Sequence, residues 1–203
     1  MKILIASRNA HKIQEILEIF RLPGVEWIST ADIPDLPDVE EDGDTFEANA
    51  MKKAVELARA AGLWALADDS GLEVAALGNA PGVFSARYAG EPSNHANNNA
   101  KLLRELTGKP DRSARFRCVV ALSDPAGRVE TVSGFCPGHI IDTLRGAQGF
   151  GYDPLFVPDG HVQTFAEMGS EQKNQLSHRG RALALAKEKW GALIAANAPG
   201  FPH

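Results

Sequence analysis

The first twenty residues contain the pattern that most constrains the fold, an apolar run followed by a loop and a segment of helical period. Residues 2–6 (KILIA) have the length and composition of a buried strand. The segment after residue 12 places four apolar side chains on one helix face, Ile13, Ile16, Leu17 and Phe20. A strand, a loop and a helix in this order indicate an α/β chain.

The loop of this first unit places Ser7, Arg8 and Asn9 at the start of the predicted helix. The first N–H groups of a helix have no partner within the helix and therefore favour anions. We expect a phosphate group to bind here.

Length and composition are those of a globular protein. The chain has 203 residues, 44% hydrophobic and 23% charged, enough to form one domain, or one domain with a small lobe. No stretch approaches the roughly 18 to 20 apolar residues of a membrane span, and residues 1–6 lack the layout of a signal peptide, so we expect a cytoplasmic location. Cys118 and Cys136 lie in separate apolar segments and are interpreted as core thiols, not as a zinc site or disulfide.

The net charge of -5 argues against a general nucleic-acid-binding protein, which needs a surplus of Lys and Arg on one face. A small phosphorylated ligand remains compatible with this charge, because a few local cations and a bound metal ion are enough to hold it.

Two strands and an acidic loop are predicted on either side of a second helix, at residues 45–61. Residues 25–28 predict a strand, and the Pro- and Asp-rich stretch that ends at Asp44 predicts a loop. Residues 63–67 predict a strand that delivers residues 68–71 (DDSG) to its C-terminal end, where open α/β sheets bind ligands. We expect the catalytic centre there.

Two helices are predicted in the middle of the chain. Residues 45–61 have a helical pattern with Asn49, Lys53 and Glu56 on a separate polar face. Residues 92–106 also have a helical pattern, interrupted by polar Asn residues.

The second half of the chain predicts a hairpin, a loop and a helix. Residues 115–122 and 128–135 predict two longer strands around a turn, which could form a second lobe. Residues 146–158 predict a Gly- and aromatic-rich loop, and residues 178–196 predict a final amphipathic helix.

Two pairs of carboxylates flank the helix at residues 45–61, Glu40 with Glu41 and Asp68 with Asp69. They could converge on one cation, and ligands that are all oxygen atoms select a hard ion such as Mg²⁺. An Asp beside such an ion could also take a proton from water during phosphoryl chemistry. A solvated acidic loop and a polar turn would leave the same pattern, and this alternative stays open at the level of sequence.

A triphosphate needs hydrogen-bond donors along its length. The candidate donors are Lys12, Lys53, Lys173 and Arg179, together with Ser7 and Asn9. Each lysine taken alone is typical of a surface position, so only their convergence would indicate a site.

Residues 149–154 (GFGYDP) form the third pattern. Glycines allow the backbone to approach a flat ligand, and an aromatic ring can stack on a base. The N–H groups of this loop and Asp153 could read a base edge. The alternative is a turn capped by packed rings. Likewise, Ser177 could simply be the N-cap of the last helix, and His178 a packed or solvated histidine.

Six motifs in this order resemble the inosine triphosphate pyrophosphatase family, also called the Ham1-like or dITP/XTP pyrophosphatase family, across nearly the whole chain. They are residues 7–12 (SRNAHK), 40–43 (EEDG), 67–74 (ADDSGLEV), 81–82 with 85–88 (PG and SARY), 150–154 (FGYDP) and 177–180 (SHRG). Six ordered motifs are more specific than any one of them alone.

The resemblance implies a single domain over residues 1–203, with an elongated, two-lobed α/β subunit and a short disordered tail at residues 198–203. It further implies a central mixed sheet flanked by helices and a nucleotide cleft between the lobes. The implied protein is a homodimer that uses Mg²⁺ to hydrolyse ITP, dITP and XTP between the α- and β-phosphates. Such an activity keeps these nucleotides out of DNA and RNA.

By the same resemblance, Asp69 is a metal ligand and proton acceptor, and Asp68 with Glu40 or Glu41 supports the Mg²⁺. The residues implied to bind substrate are Ser7, Arg8, Asn9, Ala10, His11, Lys12, Lys53, Ser70, Phe150, Gly151, Tyr152, Asp153, Lys173, His178 and Arg179. The chain departs from the family at Ser7 and Arg8, where Thr and Gly are frequent, so a bulky cation lies near the phosphate loop.

Two other functions fit parts of the pattern. One is a related pyrophosphatase of the Maf-like type, which acts on other modified or on pyrimidine triphosphates. The other is a regulatory module that binds a nucleotide without hydrolysing it. Asp69 argues against the regulatory module, because an anion beside phosphates is unfavourable unless a metal ion intervenes. A structural or nucleic-acid-binding role is disfavoured by the acidic balance.

Overall fold

The computed structural model describes residues 1–196 and residue 201 and contains a six-stranded sheet in the order β2-β1-β3-β4-β5-β6. The strands are β1 (Lys2–Ile5), β2 (Glu26–Ser29), β3 (Trp64–Val74), β4 (Ser113–Ser123), β5 (Val129–Ile140) and β6 (Phe156–Pro158). β1 is parallel to β2 and β3, whereas β5 and β6 are antiparallel. The predicted α/β fold with a central mixed sheet is confirmed.

Helices flank this sheet, as predicted. They are α1 (Ala10–Ile19), α2 (Phe46–Ala61), α3 (His95–Glu105), α4 (Ser170–Leu176) and α5 (His178–Ala195). α1 begins after its N-cap Asn9, and α2 ends at Gly62, whose φ of 64° is a left-handed conformation that favours glycine. No helix in the described part of the chain is long and apolar enough to cross a membrane.

The chain divides into two compact units. The first contains Met1–Asp69, Cys118–Gly134 and the described residues from Arg181 onward, and the second contains Ser70–Arg117 and Phe135–Gly180. The predicted hairpin therefore does not form a second lobe by itself. Its strands are divided because Cys118 and Val120 of β4 pack in the core of the first unit, while Phe116 packs in the core of the second.

Each unit has its own hydrophobic core. In the first unit, α1 and α5 pack their apolar faces with β1, and the fully buried side chains include Ile5, Ile16, Phe20, Leu183 and Trp190. In the second unit, aromatic rings dominate: the centroid of Phe156 lies 4.7 Å from that of Phe116 and 5.1 Å from that of Phe165. Such edge-on and tilted contacts are favourable for aromatic pairs.

β3 is longer than predicted. Residues 68–71 (DDSG) lie inside this strand and not after its end, because the strand continues through the fully buried side chains of Leu72 and Val74. β1 pairs with β3 only at Trp64–Leu66. The acidic residues therefore still lie beyond the C-terminal end of the neighbouring parallel strand, which is the position expected for a ligand site.

Other segments also differ from the sequence prediction. The predicted loop at residues 146–158 ends in β6, and α4 precedes the last helix. Both elements have seven residues or fewer, and so short an element carries little periodicity. α3 begins at residue 95 and is not interrupted by its Asn residues, because Asn98 and Asn99 are buried and hydrogen bonded.

The C-terminal segment is packed at the one position that is described. Phe201 is 7% exposed, and its ring meets Trp64 edge-on with centroids 4.9 Å apart. Its backbone N–H donates to Asp124 Oδ2 at 3.3 Å. Phe201 thus differs from the expected disordered tail, whose other residues lie outside the described part of the chain.

Candidate active site

Carboxylates and lysines from α1, α2 and β3 meet in the first unit. Lys12 Nζ lies 3.3 Å from Asp68 Oδ2. Lys53 Nζ donates to Glu41 Oε1 and to the backbone carbonyl of Asp68, both at 2.6 Å. Together with Asp69 and Asn49, these residues are called the carboxylate cluster below.

Asp69 is the buried acid of this cluster. Asp69 is only 4% exposed. Burial raises the pKa of the Asp69 carboxyl, whereas Lys12 and Lys53 lower it, Glu41 raises it, and a hydrogen bond from Asn49 lowers it. Because burial dominates, Asp69 holds a proton more readily than an exposed Asp, as a proton acceptor in catalysis should.

Asn49 is a site residue that the sequence analysis did not assign. Its Nδ2 donates to Asp69 Oδ2 at 3.0 Å, and its Oδ1 accepts the Gly43 N–H at 2.8 Å. Asn49 and Lys53 are 1% and 8% exposed, whereas Glu56 is exposed, so two of the three residues of the polar face predicted for α2 are buried. The signal available in the sequence was the pair of polar side chains, Asn49 and Lys53, four residues apart in a segment rich in alanine.

The loop before α1 is held by its own side chains. Asn9 Oδ1 accepts the N–H groups of His11 and Lys12 at 3.0 and 3.2 Å, and Ser7 Oγ accepts the Asn9 N–H at 3.2 Å. The N–H groups of Asn9, His11 and Lys12 are therefore hydrogen bonded within this segment.

Arg8 is separated from the carboxylate cluster by its own ion pair. Its guanidinium lies 3.0 Å from Asp38 Oδ1, and both side chains are mostly exposed. Ala10 and His11 are exposed as well. The bulky cation that departs from the family pattern thus has a partner in the loop before α2.

The structure distinguishes the two glutamates. Glu41 is bonded to Lys53 and acts on the pKa of Asp69, whereas Glu40 is exposed and is not brought to these residues. No group of three or more His, Cys, Asp or Glu residues in the described chain is arranged to hold a metal ion. The carboxylates of Glu41, Asp68 and Asp69 are nevertheless oxygen donors, the type that suits a hard divalent ion. One or two of them would be enough for Mg²⁺, which takes its other ligands from water and phosphate.

The predicted base loop, residues 149–154, lies in the second unit and is fixed by Asp153. Asp153 Oδ2 accepts the Phe150 N–H at 2.9 Å and lies 2.8 Å from Lys173 Nζ. Asp153 and Lys173 are 3% and 6% exposed. They therefore form a buried ion pair that fixes the shape of the loop.

Two cations also approach the ring of Phe150. Lys173 Nζ lies 5.1 Å and Arg179 Cζ lies 6.0 Å from the ring centroid. Arg179, 1% exposed, donates to Ser70 Oγ at 2.8 Å. The structure therefore brings Ser70, Phe150, Lys173 and Arg179 together in this unit.

His178 and Ser177 have structural contacts. The His178 ring is stacked on Phe116, with centroids 4.7 Å apart and an interplanar angle of 12°. Ser177 Oγ accepts the Gly180 N–H at 3.0 Å, which is the N-cap interaction considered for the last helix.

The loop has two further anchors that were not predicted. Tyr152 is 3% exposed, and its hydroxyl donates to the Ser85 carbonyl at 2.9 Å. Asn99 Nδ2 donates to the Gly151 carbonyl at 3.0 Å. Asn99 lies in a run of asparagines, which gave no signal in sequence.

Comparison with known proteins gives consistent results. The model of the Ham1 family matches residues 3–189. The chain is 52% identical to the dITP/XTP pyrophosphatase of Desulforamulus reducens, covering 93% of this chain and 94% of that protein. It is also 52% identical to the dITP/XTP pyrophosphatase of Geobacter sulfurreducens, covering 94% of this chain and 96% of that protein.

Solved structures give the same picture. The Staphylococcus aureus Ham1 protein superposes with a TM-score of 0.85 at 41% identity, covering 97% of this chain and all of that chain. The nucleoside-triphosphatase or dITP/XTP pyrophosphatase from Mycobacterium abscessus gives a TM-score of 0.76 at 46% identity, covering 92% and 98% of the two chains.

Proposed function

Because the chain belongs to the Ham1 family, we propose that it hydrolyses ITP, dITP and XTP to the nucleoside monophosphate and pyrophosphate. The observation that carries this proposal is the buried Asp68–Asp69 pair, held by Lys12, Lys53 and Asn49. Two lysines beside buried carboxylates suit a substrate that brings phosphates and a metal ion, since each charge then has a partner. The names of the relatives supply the substrate class.

Asp69 is proposed to orient the attacking water and accept its proton. Its burial raises the pKa of the carboxyl and so makes it a better base. Asn49 donates to one carboxylate oxygen of Asp69 and so fixes the orientation of the carboxylate. Asp69 is the one proposed catalytic residue.

Lys12 and Lys53 are proposed to neutralise the negative charge of the phosphates, while the carboxylates that these lysines now contact bind other partners. The segment that carries Lys12 is shaped by Ser7, Asn9, Ala10 and His11. Arg8, paired with Asp38, is proposed to border the phosphates without directly binding them. Positioning and charge neutralisation are the main protein contributions to this type of chemistry.

Mg²⁺ is the proposed cofactor, with Glu41, Asp68 and Asp69 as its protein ligands in preference to Glu40. When bound, it would polarise the phosphate oxygens and neutralise developing charge. The oxygen-only donor set and the absence of His among these residues support a hard ion.

The base is proposed to bind at residues 150–153, with Phe150 stacked on the purine. Phe150 and Asp153 use their N–H groups within the loop, so the N–H groups of Gly151 and Tyr152 are the candidate donors to an oxo group of the base. Lys173 holds the loop through Asp153, and Ser70, His178 and Arg179 complete this part of the nucleotide site. A donor suits the 6-oxo group of hypoxanthine and xanthine, whereas adenine has an amino group there.

Three further expectations are part of the proposal. We propose that the protein acts as a homodimer in the cytoplasm and that it removes non-standard purine nucleotides before they enter DNA or RNA. We also propose that residues 1–203 form a single nucleoside triphosphate pyrophosphatase domain. Light scattering on the purified protein would test the dimer.

A substrate panel tests the function. The protein would be incubated with Mg²⁺ and ITP, dITP, XTP, GTP, ATP or UTP, and release of pyrophosphate and of orthophosphate would be measured separately. Pyrophosphate from ITP, dITP and XTP supports the proposal. Preference for UTP would favour the Maf-like alternative, binding without turnover would favour a regulatory module, and orthophosphate would show attack at the terminal phosphate.

A further inference from the structure

The run Asn97–Asn98–Asn99 in α3 contains three side chains with different environments. Asn97 is exposed. Asn98 is 2% exposed and bonds the backbone of a neighbouring loop through Ala86 and Ala89. Asn99 is 5% exposed, and its Nδ2 donates to the carbonyl of Gly151 in the base loop. Only Asn99 thus contacts the loop proposed to bind the base.

The bond from Asn99 fixes the direction of a second group. The peptide bond between Gly151 and Tyr152 is trans, since the cis bonds of the described chain lie before Pro81 and Pro92. In a planar trans peptide the carbonyl and the following N–H point in opposite directions. Holding the Gly151 carbonyl toward Asn99 therefore holds the Tyr152 N–H away from Asn99.

The other groups of the loop are anchored differently. The Phe150 and Asp153 N–H groups bond within the loop, and the Tyr152 hydroxyl bonds Ser85. These contacts fix the two ends of the loop and the Tyr152 ring. Gly151, with a φ of 62°, lies between them and is intrinsically the most permissive residue there. The tilt of the Gly151–Tyr152 peptide plane thus depends on Asn99.

We propose that Asn99 is a positioning residue that sets base selectivity by aiming the Tyr152 N–H at the oxo group of a 6-oxopurine. This inference rests on the proposed function and deepens it. A hydrogen bond weakens steeply as its angle decreases, so a tilt of the peptide plane removes the preference for an oxo acceptor. Affinity from stacking on Phe150 is independent of this plane.

A second observation separates this role from a purely structural one. Asn99 Oδ1 is buried and has no hydrogen-bond donor among the described residues. A buried acceptor without a partner is destabilising, so an apolar side chain of similar size should be tolerated here. The asparagine is therefore better explained by what its N–H positions than by the stability of α3.

The experiment compares Asn99→Leu with wild type and with Asn97→Leu, the same substitution at the exposed neighbour. kcat and KM for ITP and ATP are measured, together with the melting temperature and the binding of IMP and AMP by calorimetry. We expect the ITP-to-ATP ratio of kcat/KM to fall at least about tenfold in Asn99→Leu, mainly through KM. The melting temperature should stay within about 4 °C of wild type.

Asn99→Asp provides a second variant that also lacks the N–H donor but keeps the size and polarity of the side chain. It should lose the same selectivity, and the IMP-to-AMP binding ratio should fall in both variants. Asn97→Leu should match wild type throughout.

Two outcomes would overturn the inference. One is an unchanged ITP-to-ATP ratio of kcat/KM in stable Asn99 variants. The other is a loss of kcat/KM that is equal for ITP and ATP and accompanies a lower melting temperature. If the wild-type protein hydrolyses neither ITP nor XTP, the proposed function fails. If the wild-type protein and the Asn99 variants all prefer ITP over ATP to the same degree, only the proposed role of Asn99 is refuted.

Discussion

Asn49→Leu tests whether the carboxylate cluster depends on a side chain outside the family motifs. The substitution nearly preserves volume but removes a bond to a charged carboxylate and a bond from the Gly43 N–H. Bonds to charged groups contribute about 1.5 to 3 kcal/mol and neutral bonds about 0.5 to 1.5 kcal/mol. The free energy of unfolding should therefore fall by about 2 to 4.5 kcal/mol, which lowers the melting temperature by roughly 4 to 18 °C for a chain of this size.

The activity of Asn49→Leu should fall by about 10- to 100-fold in kcat/KM for ITP, the usual loss when a side chain that orients a catalytic carboxylate is removed. Activity is measured well below the melting temperature of the variant, so that loss of folded protein does not contribute. Asn97→Leu is the control, because it makes the same change at an exposed helical position.

A double-mutant cycle with Asp69→Asn isolates the mechanism. If Asn49 acts through Asp69, Asn49→Leu should reduce activity much less in the Asp69→Asn background than in wild type. Full activity in a stable Asn49→Leu protein, or additive losses in the double mutant, would show that Asn49 does not act through Asp69.

The remaining predictions concern the acid, the metal, the stacking ring and the C-terminal segment. Asp69→Asn should lower kcat for ITP at least about 10²-fold with an unchanged melting temperature, and wild-type turnover would exclude Asp69 as the proton acceptor. Excess EDTA should abolish activity, and Mg²⁺ or Mn²⁺ should restore it; activity that persists in EDTA would rule out the oxygen-ligand site. Phe150→Ala should raise KM for ITP, XTP and GTP alike without reordering them, so a changed ranking in kcat/KM would show that the ring selects the base. Phe201→Ala should lower the melting temperature by at least about 4 °C, because it removes the ring packed on Trp64, and an unchanged value would mean that this contact does not stabilise the fold.

Much of the fold is predictable because periodicity reports burial. The β1–α1 unit, α2 and the strands β2 to β5 follow from their apolar patterns, and the family predicted from ordered motifs is confirmed. α4 and β6 were missed because elements this short lack a readable period. The length of β3 was underestimated because Asp68 and Asp69 are polar, although burial continues past them to Val74.

Residues of the candidate site could be predicted where the residue types and their spacing are unusual. They could not be predicted where the role of a residue depends on its contacts in the fold. Two adjacent aspartates after an apolar strand are a strong signal, and the structure places Lys12 and Lys53 beside them. Glu40 and Glu41 have equal signals in sequence, and only the Lys53 contact distinguishes them. Asn49 and Asn99 are ordinary helical asparagines until their partners are known.

Asp153 and Lys173 show how far the role of a charged residue depends on its contacts. Asp153 lies in one of the family motifs, and the resemblance implied that both residues contact the nucleotide directly. In the structure each is the buried partner of the other, because an unpaired charge in that core would be strongly unfavourable. Their contribution to binding is therefore expected through the shape of the base loop.

The proposed reaction cleaves a 6-oxopurine triphosphate between its α- and β-phosphates. Phosphorus NMR of ITP during turnover, with Mg²⁺ present, resolves every product of this reaction. We expect IMP and pyrophosphate to appear together in equal amounts, no IDP to accumulate, and Asp69→Asn to produce neither IMP nor pyrophosphate. IDP with orthophosphate as the first products, or equal turnover by Asp69→Asn, would contradict it.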